Sequence, residues 1–192
     1  MARTAQPDDC PPDETAHRRG ETEHALHLTE TLHLPVSAPD AARMYADPGY
    51  AQLRRRELDA QEADSHISGP PEGAFTATTT LRMPTEQVPD IVRRFVGQSV
   101  QVRETQEWSA PEADGSRRGT IRFEVIGAPA TMTGRTRLVP AGDGASRLEI
   151  DGDLVAKVPL IGRKIEQTAV PYIGQVLRRE ERSAAAWAAQ GR

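Results

Sequence analysis

The chain has 192 residues, 24 of them basic and 28 acidic, for a formal charge of -4. That length suffices for one domain of ordinary size with a real core. Evenly mixed charge offers no patch that would select nucleic acid or an anionic membrane by electrostatics alone, the lone Cys10 excludes an intrachain disulfide and a cysteine metal site, and no apolar run is long enough for a membrane-spanning helix.

Residues 1–23 contain Pro7, Pro11 and Pro12, many charges and almost no large apolar side chain, which predicts a disordered tail. The tail lacks the apolar centre of a signal peptide, and together with the single cysteine this places the protein in the cytoplasm. His17 and His24 stand among Asp13, Glu14, Glu21 and Glu23, but so polar a stretch is solvated tail rather than a metal site. No metal or other cofactor is expected. The folded domain is predicted over residues 24–192.

Order begins at "HALHLTETLHLPV", where Leu26, Leu28, Leu32 and Leu34 share one parity, the mark of a strand with one apolar face. In "SAPDAARMYADPGYAQLRRRE", Ser37 or Asp40 can cap a helix, Pro39 suits an early helical position, and "ADPGY" divides the run into two short helices. "LDAQEADSHISG" and "GAFTATTTLRM" read as a hairpin about the turn "SGPPEG", and the proline-bounded "PTEQVPDIVRRFVG" as a short turn. Four further strands follow: "QSVQVRETQEW", "TIRFEVIG", "PATMTGRTRLVP" and "ASRLEIDGDLVAKV". After Pro159 the apolar period changes from two to helical, with Ile161, Ile165, Ala169, Ile173 and Val176 on one stripe. This predicts a helix from Leu160 to about Ala189, weakened at Pro171 and with its last turns projecting past the core.

Seven strands with one apolar face need a cover, and only the C-terminal helix is large enough to provide it. This order, strand, two short helices, six strands and a long helix, resembles the START-like (SRPBCC) superfamily of polyketide cyclases and lipid-transfer domains. More narrowly, "LPVSAPDAARMYADPGYAQLR" with "GDLVAKVPLIGRKIEQ" is similar to an actinobacterial family of that superfamily with no assigned activity. The resemblance implies an α+β helix-grip fold: a curved seven-stranded antiparallel sheet wrapped on the long helix, with a cavity between them that takes a hydrophobic ligand.

Glu30, Thr79, Glu104 and Gln106 share the parity of the apolar residues, and a carboxylate inside an apolar layer costs several kcal/mol unless paired or hydrated. They point to a wet or ligand-filled interior, unless the two acids lie near the sheet ends, where they reach water, or a bulge reverses the parity. The expected ligand-binding set is Glu30, Phe75, Met83, Glu104, Gln106, Trp108, Met132 and Tyr172. Arg103, Arg122, Arg135 and Arg137 fall on the opposite parity as a solvated convex stripe, and the lone His66 reads as structural or exposed. No G-x-S-x-G, P-loop, H-E-x-x-H or dinucleotide glycine fingerprint is present, so no catalytic residue is assigned. The leading expectation is a module that binds a small hydrophobic, lipid- or polyketide-like molecule, with no nucleic-acid partner and no stable membrane insertion. Two alternatives stand beside it: a cyclase/dehydratase-like enzyme using an inward carboxylate, and a surface-interaction module with a collapsed cavity.

Overall fold

The computed structural model describes residues 25–86 and 90–191. The predicted tail, residues 1–23, lies outside them. Strand β1 (Leu26–Leu34) leads into helices α1 (Ala38–Tyr45) and α2 (Pro48–Glu57), which carry the chain across to β2 (Glu62–Ser68). Ser37 caps α1 by accepting from the Asp40 N–H at 3.2 Å, and Asp47 caps α2 by accepting from the Gly49 N–H at 2.8 Å. Asp47 and Pro48 are therefore why one helical run becomes two.

From β2 the chain meanders through β3 (Phe75–Pro84), β4 (Ser99–Trp108), β5 (Arg117–Ile126), β6 (Ala130–Gly142) and β7 (Ala145–Ala156). The seven-stranded antiparallel sheet has the order β1-β7-β6-β5-β4-β3-β2. Gly134 and Gly152 face each other across β6 and β7, and a Cβ on either would meet opposing backbone oxygen at 2.6 Å. The two glycines let the strands approach closely where the sheet curves. On the convex side Arg103, Arg122, Arg135 and Arg137 are exposed. There Arg122 pairs with Glu124 at 2.9 Å, and Arg135 and Arg137 stand opposite Asp151 and Glu149. His66 is exposed on the edge strand β2.

Two local expectations change, the turn before β4 and the end of the long helix. The segment read as a turn before β4 contains helix α3 (Asp90–Val96), because residues 90–96, between Pro89 and Gly97, include neither proline nor glycine. Gly97, at a φ of 74°, ends it by donating to the Arg93 carbonyl at 2.8 Å. The long helix α4 (Gly162–Ala188) runs through Pro171, whose ring lies on its exposed side. The last turns of α4 do not project. Ser183 and Ala184 are fully buried, Trp187 is 3 % exposed, and Trp187 Nε1 donates to Asp47 Oδ2 at 2.9 Å. The small side chains bring α4 close to α1, α2 and β1, so the C-terminal half of the helix covers the solid part of the core.

The first half of α4 is looser. Ile165 is buried, but Ile161, Ala169 and Val176, expected to be buried too, are only half so. Ile165, Ala169 and Val176 face a hollow instead of packed side chains.

Candidate functional site

Between α4 and the concave face of the sheet lies a cavity of about 250 Å³. Its floor comes from alternate residues of the strands, among them Leu81, Met83, Val102, Phe123, Met132 and Ile150. Its roof is the stripe Ile165, Ala169, Tyr172, Ile173, Val176 and Leu177 of α4. The lining is aliphatic and aromatic nearly throughout. Glu166 sits at one end, 3 % exposed, and accepts from the Ala156 N–H at 2.8 Å, which ties the start of α4 to the end of β7.

The other end is closed by Arg54 of α2 and Glu104 of β4, each about 5 % exposed. Arg54 Nη2 donates to Glu104 Oε2 at 2.5 Å, and Arg54 Nε lies 2.8 Å from Glu180 Oε2 of α4, an ion contact whose N–H is not aligned as a hydrogen bond. Tyr50 donates its hydroxyl to Glu180 Oε1 at 2.9 Å. Gln106 Nε2 donates to Glu104 Oε1, and Trp108 Nε1 donates to Gln106 Oε1 at 2.9 Å. A single polar chain thus links sheet, short helix and long helix.

Burial opposes the charge on Arg54, but Glu104 and Glu180 more than offset this and hold it protonated. Burial pushes the Tyr50 hydroxyl well above its ordinary range, and Glu180 pushes it further. Burial likewise raises Glu180, and Arg54 offsets only part of this because Glu104 acts in the same direction as burial. With both acids ionised, the single cation Arg54 of this cluster would face two buried anions, so Glu180 holds its proton more tightly in the folded chain than in the unfolded one. The stability from this group is therefore greatest at low pH and is lost as the pH rises above its ordinary value of 4.5 and through the raised one. Glu180→Gln should flatten that part of the stability curve, measured by chemical denaturation at a series of pH values; a slope equal to that of the parent protein contradicts this assignment.

Of the residues expected to bind a ligand, Met83, Glu104, Met132 and Tyr172 line the cavity. Gln106 is one residue pair away, at a hollow of about 10 Å³, the size of one water, where Tyr45 also places its ring. Phe75 and Trp108 do not reach the cavity. They pair with each other at the far end of β3 and β4, where Tyr45 stacks on Trp108 at 5.9 Å and the Arg117 guanidinium lies 5.8 Å over Phe75. Parity places both on the inner face, but α1 fills that half of it. Glu30 is half-buried on β1, opposite Ile150 and close to Gly174 of α4, outside the lining.

Sequence reasoning missed Arg54 and Glu180. Both had a signal. Arg54 follows Tyr50 by four residues, so of the three arginines in "LRRRE" it alone shares that helix face. Glu180 falls on the stripe that runs through Ile173, Val176, Ala184 and Trp187. Among the described residues no group of histidine, cysteine and acidic side chains could hold a metal ion, and no helix is long and apolar enough to cross a membrane.

Comparison with known proteins agrees with this architecture. An uncharacterised protein of Mycobacterium tuberculosis is 23% identical over 146 residues, 74% of this chain and 83% of the relative. An aromatase/cyclase from a Streptomyces species superposes with a TM-score of 0.56 at 13% identity, covering 87% of this chain and 95% of its own. A START superfamily protein from Mycobacterium smegmatis gives a TM-score of 0.50 at 15% identity, covering 84% of this chain and 98% of its own. At these identities the structural likeness carries the fold alone. The model of a family described as protein of unknown function (DUF2505) matches residues 29–188. The chain therefore belongs to the DUF2505 family and is built on the START-like helix-grip fold.

Proposed function

We propose that the protein holds a small hydrophobic, lipid- or polyketide-like molecule between its sheet and its long helix. The observation that carries this reading is the open, apolar cavity of about 250 Å³ in a domain whose other half is tightly packed. An unfilled apolar volume forfeits dispersion contacts on every wall, a cost that an occupant removes. Its presence weighs against a surface module with a collapsed interior. The polar end also narrows the occupant. Arg54 and Glu104 satisfy each other, and Glu104 accepts on both oxygens, so little hydrogen-bonding capacity remains for a ligand. Aliphatic bulk is what the lining rewards, with methionines 83 and 132 adapting to its shape.

The same geometry weighs against Glu104 as a proton carrier, since both its carboxylate oxygens are already engaged by Arg54 and Gln106. The reading places the binding event in the cytoplasm, on the single cysteine of the chain. Native mass spectrometry of the protein purified without detergent tests the proposal. A bound mass of a few hundred daltons, released by organic solvent and extracted as a lipid-like compound, is expected; apoprotein that takes up no aliphatic compound on incubation overturns it.

A further inference from the structure

The cavity adjoins a second apolar hollow of about 110 Å³ that lies among α3, the β5–β6 turn and the junction between β7 and α4. The two share Val92, Val125, Ala130, Ala156 and Ile165 in their walls. Pro129, exposed, and Val158, half-exposed, line the outer hollow, so it reaches solvent and forms the mouth of the cavity.

Two large hydrophobic side chains are exposed among the described residues, Ile126 at 40% and Leu160 at 105%. Both belong to the segments of this mouth: Ile126 follows Val125 into the β5–β6 turn, and Leu160 stands between Val158 and Ile165. Leu160 also has a φ of 68°. That left-handed conformation is unfavourable for leucine, and glycine or asparagine would take it at lower cost. A fully exposed aliphatic side chain on strained backbone, beside a cavity entrance, gains nothing for the fold.

The segments that form this mouth are one-sided in charge. The three mouth segments, residues 90–96, 126–130 and 156–164, contain Arg93, Arg94, Lys157, Arg163 and Lys164 but one acid, Asp90, in a chain whose net charge is -4. All five cations are exposed; Arg93 pairs with Asp90, and Lys157 also has an interaction partner. We propose that the cavity mouth is a docking surface for an anionic lipid bilayer, with Leu160 and Ile126 entering the acyl boundary and the surrounding lysines and arginines meeting lipid phosphates. Exposed aliphatics in segments rich in exposed cations combine the two weak signals that reversible bilayer binding needs. A protein partner fits less well, because the apolar side chains protrude and a stable protein interface needs roughly 800 Å² on each side. The inference rests on the cavity reading for its purpose, since docking would let an apolar occupant pass without crossing water. Its evidence is independent.

Vesicle sedimentation with the full chain and no added ligand tests it, so that docking and ligand binding fail separately. Vesicles of phosphatidylcholine with one-third phosphatidylglycerol should retain the protein, pure phosphatidylcholine about 10-fold less, and added salt should release it. Leu160→Asp and the pair Arg163→Glu/Lys164→Glu should each weaken binding about 10-fold. Leu160→Gly separates docking from folding: its melting temperature should hold or rise as the backbone strain is relieved, while vesicle binding falls. Vesicle binding that Leu160→Asp leaves unchanged overturns the proposal, as does absence of binding to the anionic vesicles. Retention on immobilised polyglutamate without vesicle binding would overturn it in favour of an acidic protein partner.

Discussion

An Arg54→Met variant should melt roughly 10–15 °C below the parent protein. The side chain it removes is 5 % exposed and is the buried cation between Glu104 and Glu180. Methionine fills a similar volume, so the loss is electrostatic: two carboxylates remain in a low-dielectric site with no counter-charge. Breaking a buried pair in this way costs about 3–5 kcal/mol, because the remaining partner must stay buried and uncompensated or take up a proton. The effect on the rest of the polar chain is indirect, since Gln106 and Trp108 still lead to Glu104 and Tyr50 still donates to Glu180. A triple variant, Arg54→Met with Glu104→Gln and Glu180→Gln, removes every charge of the cluster and should recover more than half of the loss. Thermal denaturation by circular dichroism checks both. A single variant within about 2 °C of the parent, on the usual 2–4 °C per kcal/mol for this size, would show that the cluster contributes little to stability.

That cluster marks the limit of what the primary structure discloses. Strand parity is a strong signal, since a half-buried sheet sorts side chains by period two, and it put Met83, Glu104 and Met132 on the inner face where they lie. Parity does not report distance along the strand. Phe75 and Trp108 share the inner face but stand at the end that Tyr45 fills, so their place outside the cavity depends on a helix from another part of the chain. The partner of Glu104 was hidden for a similar reason. The pair Arg54–Glu104 spans 50 residues and Arg54–Glu180 spans more, and a run of three arginines reads most simply as a solvated helix face. The end of α4 packs where the sheet alone would give it nothing to pack on. The helices α1 and α2 extend the wall it packs on, and Ala184 and Ser183 allow the close approach.

The second large effect concerns the cavity itself. Ala169 lies on the roof, in the middle of the stripe that faces Met132 and its neighbours, and its methyl group leaves the space below open. Tryptophan at this position would place an indole in the 250 Å³ void. Filling an existing cavity should leave the melting temperature unchanged or higher, so loss of binding in this variant cannot be assigned to misfolding. Binding to the cavity should fall by roughly 100-fold or more, which corresponds to about 2.8 kcal/mol at 1.4 kcal/mol per decade.

A fluorescence titration of nile red, an uncharged apolar dye, into the parent protein and Ala169→Trp measures this directly. The account predicts a saturable rise in emission with one dye per chain for the parent, displaced by aliphatic compounds, and little or no rise for the folded variant. Equal binding by the two proteins would contradict it, because the dye would then sit somewhere other than the space between sheet and helix.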